Sequence, residues 1–332
     1  MGMTPREVVR HTVRFTGADR IPYNLAPPYG TDFAHVGMTP SPDARPRSGT
    51  DEWGCAWENI GVSNLGEVKQ PVLADWADWK ELRIPDIREP RRWDALAKAR
   101  EQAGDKFLMA HGISLYERVH FLRGLEDTWI DIYTAPDELG RLIDVLVEMN
   151  LYAIGRFAEA GADGYMFCDD WGLQHSLMIS PDSWRTIWKP RYARVYRAAH
   201  DAGLLTFLHS CGHIVDILDD LIEAGLDVIQ MDQQENMGVD LLGERFGGRL
   251  TFWCPVDIQA TMAYGTPQEI RAYCRKLVAT LGRPSGGFIA QWYADPKGAG
   301  HKQESIDAMC DEFLKLSRAF GEQTSRRRHV PS

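Results

Sequence analysis

The chain has 332 residues, with 37 Lys and Arg side chains against 47 Asp and Glu side chains, a formal net charge of −10. Hydrophobic residues make up 44% of it and charged residues 25%, which excludes a disordered, collagen-like or low-complexity protein. A net anion repels phosphate, so the charge argues against nucleic-acid binding. The one dense basic run, Arg326-Arg327-Arg328, falls in a predicted flexible tail at 323–332.

The six cysteines are scattered and lack the close pairing of a small secreted scaffold. No apolar run reaches the roughly 20 residues that a membrane span requires, and no signal peptide is recognisable. We therefore expect a reduced, cytoplasmic protein with no membrane partner.

The first predicted element is a helix, because Thr4 suits an N-cap and Pro5 suits the first helical turn. A short strand is predicted at 21–25. Residues 26–66 are rich in glycine, proline and polar side chains, which predicts a long irregular segment. We assign residues 1–90 to an N-terminal extension packed on the main domain.

From residue 91 onward, short apolar strands alternate with helices. Strands are predicted at 107–112, 164–170, 204–212, 227–232, 250–257 and 287–292. Helices are predicted at 91–104, 136–160, 181–202, 214–224, 239–246, 267–281 and 303–320. This alternation is typical of a parallel sheet covered on both faces, an α/β fold. The strand count, and the absence of a glycine-rich dinucleotide motif after the first strand, favour a (β/α)8 TIM barrel over an open doubly wound sheet. Residues 91–322 would form its main part.

Reactive side chains collect at the carboxyl ends of these strands, which meet at one mouth of a barrel. The residues concerned are His111, Cys168, Asp169, Asp170, His209, Cys211, Asp232, Cys254, Asp257 and Gln291.

The sharpest local pattern is His209-Ser210-Cys211-Gly212. Residues i and i+2 of a strand share a face, so the imidazole and the thiol can point into the mouth together. Both are good zinc ligands, and a catalytic zinc requires a third protein ligand. Cys254 is the preferred third ligand, with Asp170 and Cys168 as alternatives. Simple packing of a histidine beside a cysteine is the competing interpretation.

The pair Asp169-Asp170 follows an apolar strand directly. Paired carboxylates can raise one another's pKa and serve as general acid and base. The competing interpretation is that one caps the following segment and the other is solvated.

Several stretches of the chain match a known family: Asp51-Glu52-Trp53-Gly54, Ala160-Gly161-Ala162-Asp163-Gly164, Asp169-Asp170-Trp171-Gly172, His209-Ser210-Cys211-Gly212, Leu250-Thr251-Phe252-Trp253, Asp257-Ile258-Gln259 and Gly265-Thr266-Pro267-Gln268-Glu269-Ile270. On these stretches the chain resembles the uroporphyrinogen decarboxylase superfamily, and more closely its branch of corrinoid-dependent methyltransferases. The resemblance implies a barrel with an N-terminal extension and a zinc ion held by the His-x-Cys pair and one later cysteine. It also implies methyl transfer to or from a corrinoid carried by a partner protein, and a homodimer.

Two departures from the family pattern stand out. The later cysteine belongs near 290–293, where this chain has none, so Cys254, Asp170 or Gln291 completes the site or no zinc binds. The arginine-rich motif that decarboxylases use for a substrate with many carboxylates is also missing at 23–29.

The leading hypothesis is a zinc-dependent methyltransferase that demethylates a small methylated compound, such as an aryl methyl ether, and passes the methyl group to a corrinoid protein. The proposed metal ligands are His209, Cys211 and Cys254, with Asp170 and Asp169 as catalytic acid or base. The proposed substrate-binding residues are Trp171, Trp253, Gln291, Trp292 and Tyr293. A metal-free lyase that uses Asp169 or Asp170, and a binding protein without catalysis, are the alternatives.

Overall fold

The computed structural model describes residues 2–59, 61 and 66–328, with only the backbone described for 322–328. Its strands are β1 (Tyr23–Asn24), β2 (Phe33–Val36), β3 (Gly49–Thr50), β4 (Ala56–Asn59), β5 (Gly66–Gln70), β6 (Phe107–His111), β7 (Gly164–Cys168), β8 (Leu205–His209), β9 (Val228–Gln230), β10 (Thr251–Cys254) and β11 (Phe288–Gln291). Strands β3, β4 and β5 form a small antiparallel sheet. The other eight are parallel and follow one another around a nearly closed barrel, in which β11 pairs with β1. The predicted (β/α)8 fold is confirmed.

The α-helices surround this barrel. They are α1 (Pro5–Val13), α2 (Ala99–Ala103), α3 (Tyr116–Arg123), α4 (Leu125–Thr134), α5 (Pro136–Glu159), α6 (Pro181–Ser183), α7 (Lys189–Asp201), α8 (Leu218–Ala224), α9 (Val239–Phe246), α10 (Thr261–Tyr264), α11 (Pro267–Leu281) and α12 (Gln303–Arg328). A π-helical turn, Trp184–Trp188, joins α6 to α7. Within the described part of the chain, no helix has both the length and the apolar character that crossing a bilayer requires.

The N-terminal region differs from its prediction. The segment 26–66, expected to be irregular, contains the barrel strand β2 and the strands β3 and β4. Two of the eight barrel strands therefore lie within residues 1–90. The strand β2 has only four residues, too few for a clear apolar pattern. Helices α3 and α4, between β6 and α5, were also not predicted.

The C-terminal end also departs from its prediction. Part of the predicted flexible tail, up to Arg328, belongs to α12. Residues 329–332 lie outside the described residues.

The side chains of the barrel strands alternate between two hydrophobic clusters. One cluster fills the barrel interior and consists of Val9, Val13, Phe33, Phe107, Met109, Met166, Leu205, Phe207, Val228, Trp253 and Ile289. The other lies outside the strands, under the helices, and receives the intervening residues such as Leu108, Leu208, Ile229 and Ala290. Strands such as β6, β8 and β9 are therefore buried on both faces, and the alternation of their residues decides which side chains reach the barrel axis.

Helix α1 closes the amino-terminal end of the barrel. Thr4 caps the helix, and its backbone N–H donates to the Glu7 carboxylate at 2.8 Å. Val9 and Val13 enter the interior cluster. The Gly287 N–H, just before β11, donates to the carbonyl of Thr12 at 3.1 Å. The barrel therefore has a stopper at one end and its open mouth at the other.

The carboxylate of Asp163 connects this stopper to the barrel. Asp163 is fully buried just before β7, where it accepts from Arg6 at 2.6 Å, Arg10 at 2.7 Å and Arg100 at 2.8 Å. It also accepts from the backbone N–H of Leu108 in β6 at 2.9 Å. One side chain thus joins α1, α2 and two barrel strands.

We predict that Asp163→Asn lowers the free energy of unfolding by about 2–4 kcal/mol, because it leaves buried donors facing a neutral amide. Urea denaturation would measure the change. The matched control, Asp182→Asn, alters a carboxylate whose side chain is 94% exposed and should cost less than about 0.5 kcal/mol. Equal costs for the two variants would contradict the proposed connecting role.

Candidate functional site

Three potential ligand atoms converge at the mouth of the barrel. The Nε2 atom of His209 lies 3.5 Å from the Sγ atom of Cys211 and 3.4 Å from Oδ1 of Asp170. Among the described residues, these three form the one group of histidine, cysteine and carboxylate side chains whose ligand atoms all lie within 4.8 Å of one another. The structure therefore brings together the predicted His-x-Cys pair and Asp170, which the sequence offered as one alternative third ligand.

A contact between two glycines holds this group in place. A Cβ atom on Gly212 would lie 2.1 Å from the carbonyl oxygen of Gly172, and one on Gly172 would lie 2.3 Å from the backbone nitrogen of His213. The loops after β7 and β8 can therefore touch only because neither position carries a side chain. The backbone N–H of Cys211 then donates to Oδ1 of Asp170 at 2.7 Å.

A hydrogen bond to Nδ1, on the side of the ring away from Cys211, orients the imidazole of His209. Its Nδ1–H donates to Oε1 of Gln230 on β9, and the Gln230 amide donates in turn to Asp232 at 2.8 Å. An acceptor on Nδ1 keeps a proton on that nitrogen, so the neutral imidazole would direct its Nε2 lone pair toward Cys211 and Asp170. Gln230 was not predicted; its position two residues after the inward-facing Val228 is the signal that could have indicated it.

The spacing of the three ligand atoms fits a tetrahedral zinc ion. With bonds of about 2.0–2.1 Å to nitrogen or oxygen and 2.3 Å to sulfur, such an ion separates nitrogen from sulfur by about 3.6 Å and nitrogen from oxygen by about 3.4 Å. The observed separations are 3.5 and 3.4 Å. Burial raises the pKa of the Cys211 thiol, while the neighbouring imidazole opposes this shift. A bound cation would add to that opposition and favour the thiolate.

Cys254, the preferred third ligand from the sequence, lies elsewhere. It is fully buried in the outer hydrophobic cluster, whereas its neighbour Trp253 faces the barrel interior. Successive strand residues point to opposite faces, so Cys254 at the end of β10 points away from the mouth. Cys168 faces inward on β7, yet it is not part of the group, and burial raises the pKa of its thiol to about 12.

Asp169 points away from its neighbour Asp170. Its carboxylate accepts from the backbone N–H groups of Leu115 at 3.2 Å and Glu117 at 2.9 Å, at the start of α3, and from the hydroxyl of Tyr192. Burial raises its pKa to about 7, and these donors oppose the shift. The structure thus places Asp169 at a capping position at the start of α3, on the side opposite Asp170, and its catalytic role stays a prediction.

Two of the predicted substrate-binding aromatic residues lie outside the mouth. Trp171 is fully buried, stacks on Tyr116 at 3.9 Å and donates to the hydroxyl of Tyr192 at 3.0 Å. Trp292 packs against the outer hydrophobic cluster. Both follow inward-facing residues by one position, so their rings point away from the barrel axis.

The other three predicted substrate-binding residues face inward. Trp253 stacks on Phe33 at 4.6 Å to form an apolar floor, and its Nε1 atom is buried with no hydrogen-bond partner among the described residues. The buried Oε1 atom of Gln291 likewise has no partner within the described part of the chain. Burial raises the pKa of Tyr293, as do Asp232 and Cys211, whose charges reach its hydroxyl. These residues give the mouth both apolar surface and unused hydrogen-bonding groups.

Two histidines on neighbouring strands also face the mouth. His35 on β2 and His111 on β6 are exposed, and Nδ1 of His35 lies 2.9 Å from Nε2 of His111. His35 was not identified from the sequence because β2 was not recognised as a strand.

Comparison with known proteins identifies the family. The family model described as uroporphyrinogen decarboxylase matches residues 59–292. A uroporphyrinogen decarboxylase from Geobacter sulfurreducens is 24% identical over 238 residues, 67% of this chain and 66% of that protein. Another from Magnetococcus marinus is 23% identical over 191 residues, 56% of this chain and 51% of that protein. The chain thus spans about two thirds and one half of the lengths of these relatives.

Among solved structures, a methyltransferase from Methanosarcina mazei has the same fold. It superposes with a TM-score of 0.68 at 17% sequence identity, covering 95% of this chain and 99% of that one. Because the family model matches most of the chain, from β4 to the end of β11, the chain belongs to the uroporphyrinogen decarboxylase family.

Proposed function

We propose that the protein is a zinc-dependent methyltransferase that demethylates a small methylated compound and passes the methyl group to a corrinoid protein. The observation that carries this proposal is the convergence of His209, Cys211 and Asp170 on one point at the barrel mouth. Three protein ligands with an open fourth position are typical of catalytic zinc sites. Membership of a family of enzymes supports catalysis in general.

The side chains at the mouth have distinct tasks in this proposal. His209, Cys211 and Asp170 would hold the zinc ion, which when bound acts as a Lewis acid on the heteroatom that carries the methyl group. Gln230 keeps the His209 imidazole oriented through its hydrogen bond to Nδ1. The indole of Trp253 offers an apolar surface beneath the substrate, and Gln291 and Tyr293 offer hydrogen bonds at its side. An aryl methyl ether suits this combination of an apolar floor and a polar rim.

The charges around the mouth favour a substrate with few carboxylates. Arg45 is already paired with Glu117 at 2.5 Å. Asp170 and Asp232 add negative charge to a chain whose net charge is −10. A polyanion would meet repulsion there, whereas a neutral methylated compound would not. The name of the Methanosarcina structure, a methyltransferase, agrees with this choice.

A metal-free lyase is the second candidate, since both curated relatives are named as decarboxylases. This candidate relied on Asp169 and Asp170 as an acid and base pair. The capping contacts of Asp169 leave Asp170 as the one carboxylate of that pair beside the open mouth.

The enzyme would act together with a partner protein. The methyl acceptor would be a corrinoid on a separate protein, which would approach the open mouth. We also propose a cytoplasmic location, which rests on the six scattered cysteines, and a homodimer, which rests on the family resemblance.

Metal analysis tests the ligand assignment. We expect the purified protein to hold about one zinc ion per chain, and Cys211→Ser to lose it because the thiolate ligand is removed. Cys254→Ala is the matched control and should retain the metal, since Cys254 points into the outer cluster. Zinc retained in Cys211→Ser, or lost in Cys254→Ala, would overturn the assignment.

A turnover assay tests the reaction. With anisole as methyl donor and free cob(I)alamin as acceptor, we expect absorbance to report methyl transfer that stops when a chelator removes zinc and resumes when zinc is restored. Failure of the zinc-loaded protein to demethylate any of a panel of methyl ethers, amines and thioethers would argue against methyl transfer. Decarboxylation unaffected by chelators would identify the lyase instead.

Gln230 offers a test of the orientation of His209. We predict that Gln230→Leu weakens zinc binding about 10- to 100-fold, because the imidazole loses the acceptor that fixes its tautomer. Competition with a chromophoric chelator would measure the affinity. Gln102→Leu, on the exposed face of α2, should leave the zinc affinity unchanged. An unchanged affinity in Gln230→Leu would show that this hydrogen bond does not matter for the metal.

Paired substitutions separate the two neighbouring aspartates. We predict that Asp169→Asn lowers the free energy of unfolding by about 1–3 kcal/mol, because the amide opposes one of its N–H or O–H donors. Asp170→Asn should cost less than about 1 kcal/mol in stability while it weakens zinc binding. The reverse pattern would assign the cap to Asp170.

The stability cost of Asp169→Asn should also depend on pH. The pKa of Asp169 is raised to about 7 in the folded protein, above its ordinary value of 3.8. Between these values the folded state holds the proton that the unfolded state has released, so ionisation lowers wild-type stability as pH rises. The difference between wild type and Asp169→Asn in urea denaturation should therefore be larger at pH 5 than at pH 8. A difference that grows toward pH 8 would contradict the raised pKa.

A further inference from the structure

The pair formed by His35 and His111 is a second cluster of polar side chains at the mouth, outside the group at His209. The register of the two strands places both histidines on the inward face. His35 on β2 and His111 on β6 alternate with the outward-facing Ala34, Val36 and Ala110. Their rings are 5.1 Å apart with an angle of 29° between planes. We infer that this imidazole pair recognises a hydroxyl group on the substrate.

The outer nitrogens of the pair are available to a ligand. The bond between Nδ1 of His35 and Nε2 of His111 uses one nitrogen of each ring. Among the described residues, Nε2 of His35 and Nδ1 of His111 have no hydrogen-bond partner. Both side chains are exposed, and both sit on strands instead of mobile loops. Two hydrogen-bonding atoms are thus held rigidly at the opening, with no task in the zinc group.

The protonation state of the pair selects the chemistry of its ligand. Although water reaches both rings, the surrounding protein removes part of their hydration, which together with Lys106 lowers the pKa of His35 and together with His35 lowers the pKa of His111 to about 4. The pair is therefore neutral at pH 7. With one N–H used in the bond between the rings, one outer nitrogen is a donor and the other an acceptor. A hydroxyl group, which both donates and accepts, matches this arrangement, whereas a carboxylate, which only accepts, does not.

The position of the pair sets the size of the ligand. The strand β6, which carries His111, is separated from β8, which carries His209, by β7 alone. Strands lie about 4.8 Å apart, so the two histidines are about 10 Å apart along the barrel wall. A single aromatic ring with a methoxy group at one end and a hydroxyl at the other spans such a gap once the side chains reach inward. This inference rests on the proposed function, because it places the methyl-bearing atom at the group of His209.

Calorimetric titration with three probes tests the inference: 4-methoxyphenol, anisole and 4-methoxybenzoate. We expect the zinc-loaded wild-type protein to bind 4-methoxyphenol at least about fivefold more tightly than anisole, the gain of one net hydrogen bond. His35→Phe and His111→Phe should reduce this ratio to about 1 while leaving anisole binding within about twofold. His11→Phe, on α1 at the closed end of the barrel, should keep the wild-type ratio.

The outcomes separate this inference from the proposed function. No preference for 4-methoxyphenol in the wild type, an unchanged preference in both phenylalanine variants, or tightest binding of 4-methoxybenzoate would each overturn the hydroxyl assignment. Zinc content, measured on the same samples, is expected to be unaffected in both variants. If the preference depends on the two histidines but the wild type holds no zinc, the hydroxyl assignment stands and the zinc-dependent function fails.

Discussion

The alternation of side chains along the barrel strands is the constraint on which the rest of the site depends. Leu205 and Phe207 fill the interior of the barrel, so His209 must point inward on the same strand. Val228 does the same for Gln230 on the next strand, which brings its amide to the back of the imidazole. A shift of either strand by one residue would bury these polar groups under the helices and turn leucine or isoleucine into the mouth. The apolar packing of the barrel thus sets the geometry of its chemistry.

The same alternation explains how far the sequence could predict the site. The two-residue spacing of His209 and Cys211 is enough to place them on one face, whatever the strand's absolute orientation. To predict whether Cys254 faces the mouth, one must know which face of β10 points inward. The sequence Thr251-Phe252-Trp253-Cys254 does not show this, because a strand buried on both faces has apolar residues at nearly every position. The fold was easier to predict from the sequence than the site. The start of α11 is marked by the capping residues Thr266 and Glu269 and by Pro267, whereas the four residues of β2 show no clear apolar pattern.

The motifs that carry the family resemblance combine two kinds of residue. In Asp169-Asp170-Trp171-Gly172, Asp170 reaches the mouth, while Asp169 caps α3 and Trp171 fills the core beside it. Gly172 allows the contact with Gly212 that sets Asp170 beside Cys211. Adjacent letters in such a motif therefore belong to the scaffold and to the site in turn. The sequence suggests one functional pair of aspartates, but the structure directs one carboxylate to the scaffold and the other to the mouth. The direction of the backbone is what distinguishes the two.

The helix α1 restricts how a ligand can enter and leave the barrel. Val9 and Val13 seal the end opposite the mouth, and Asp163 fastens the helix there through Arg6 and Arg10. Among the described residues, α1 blocks this end, so a molecule bound near His209 reaches solvent through the mouth. A large protein seated over that opening would confine whatever lies beneath it, so a small ligand must arrive before such a partner and leave after it. The stopper imposes an order of events on any reaction carried out inside.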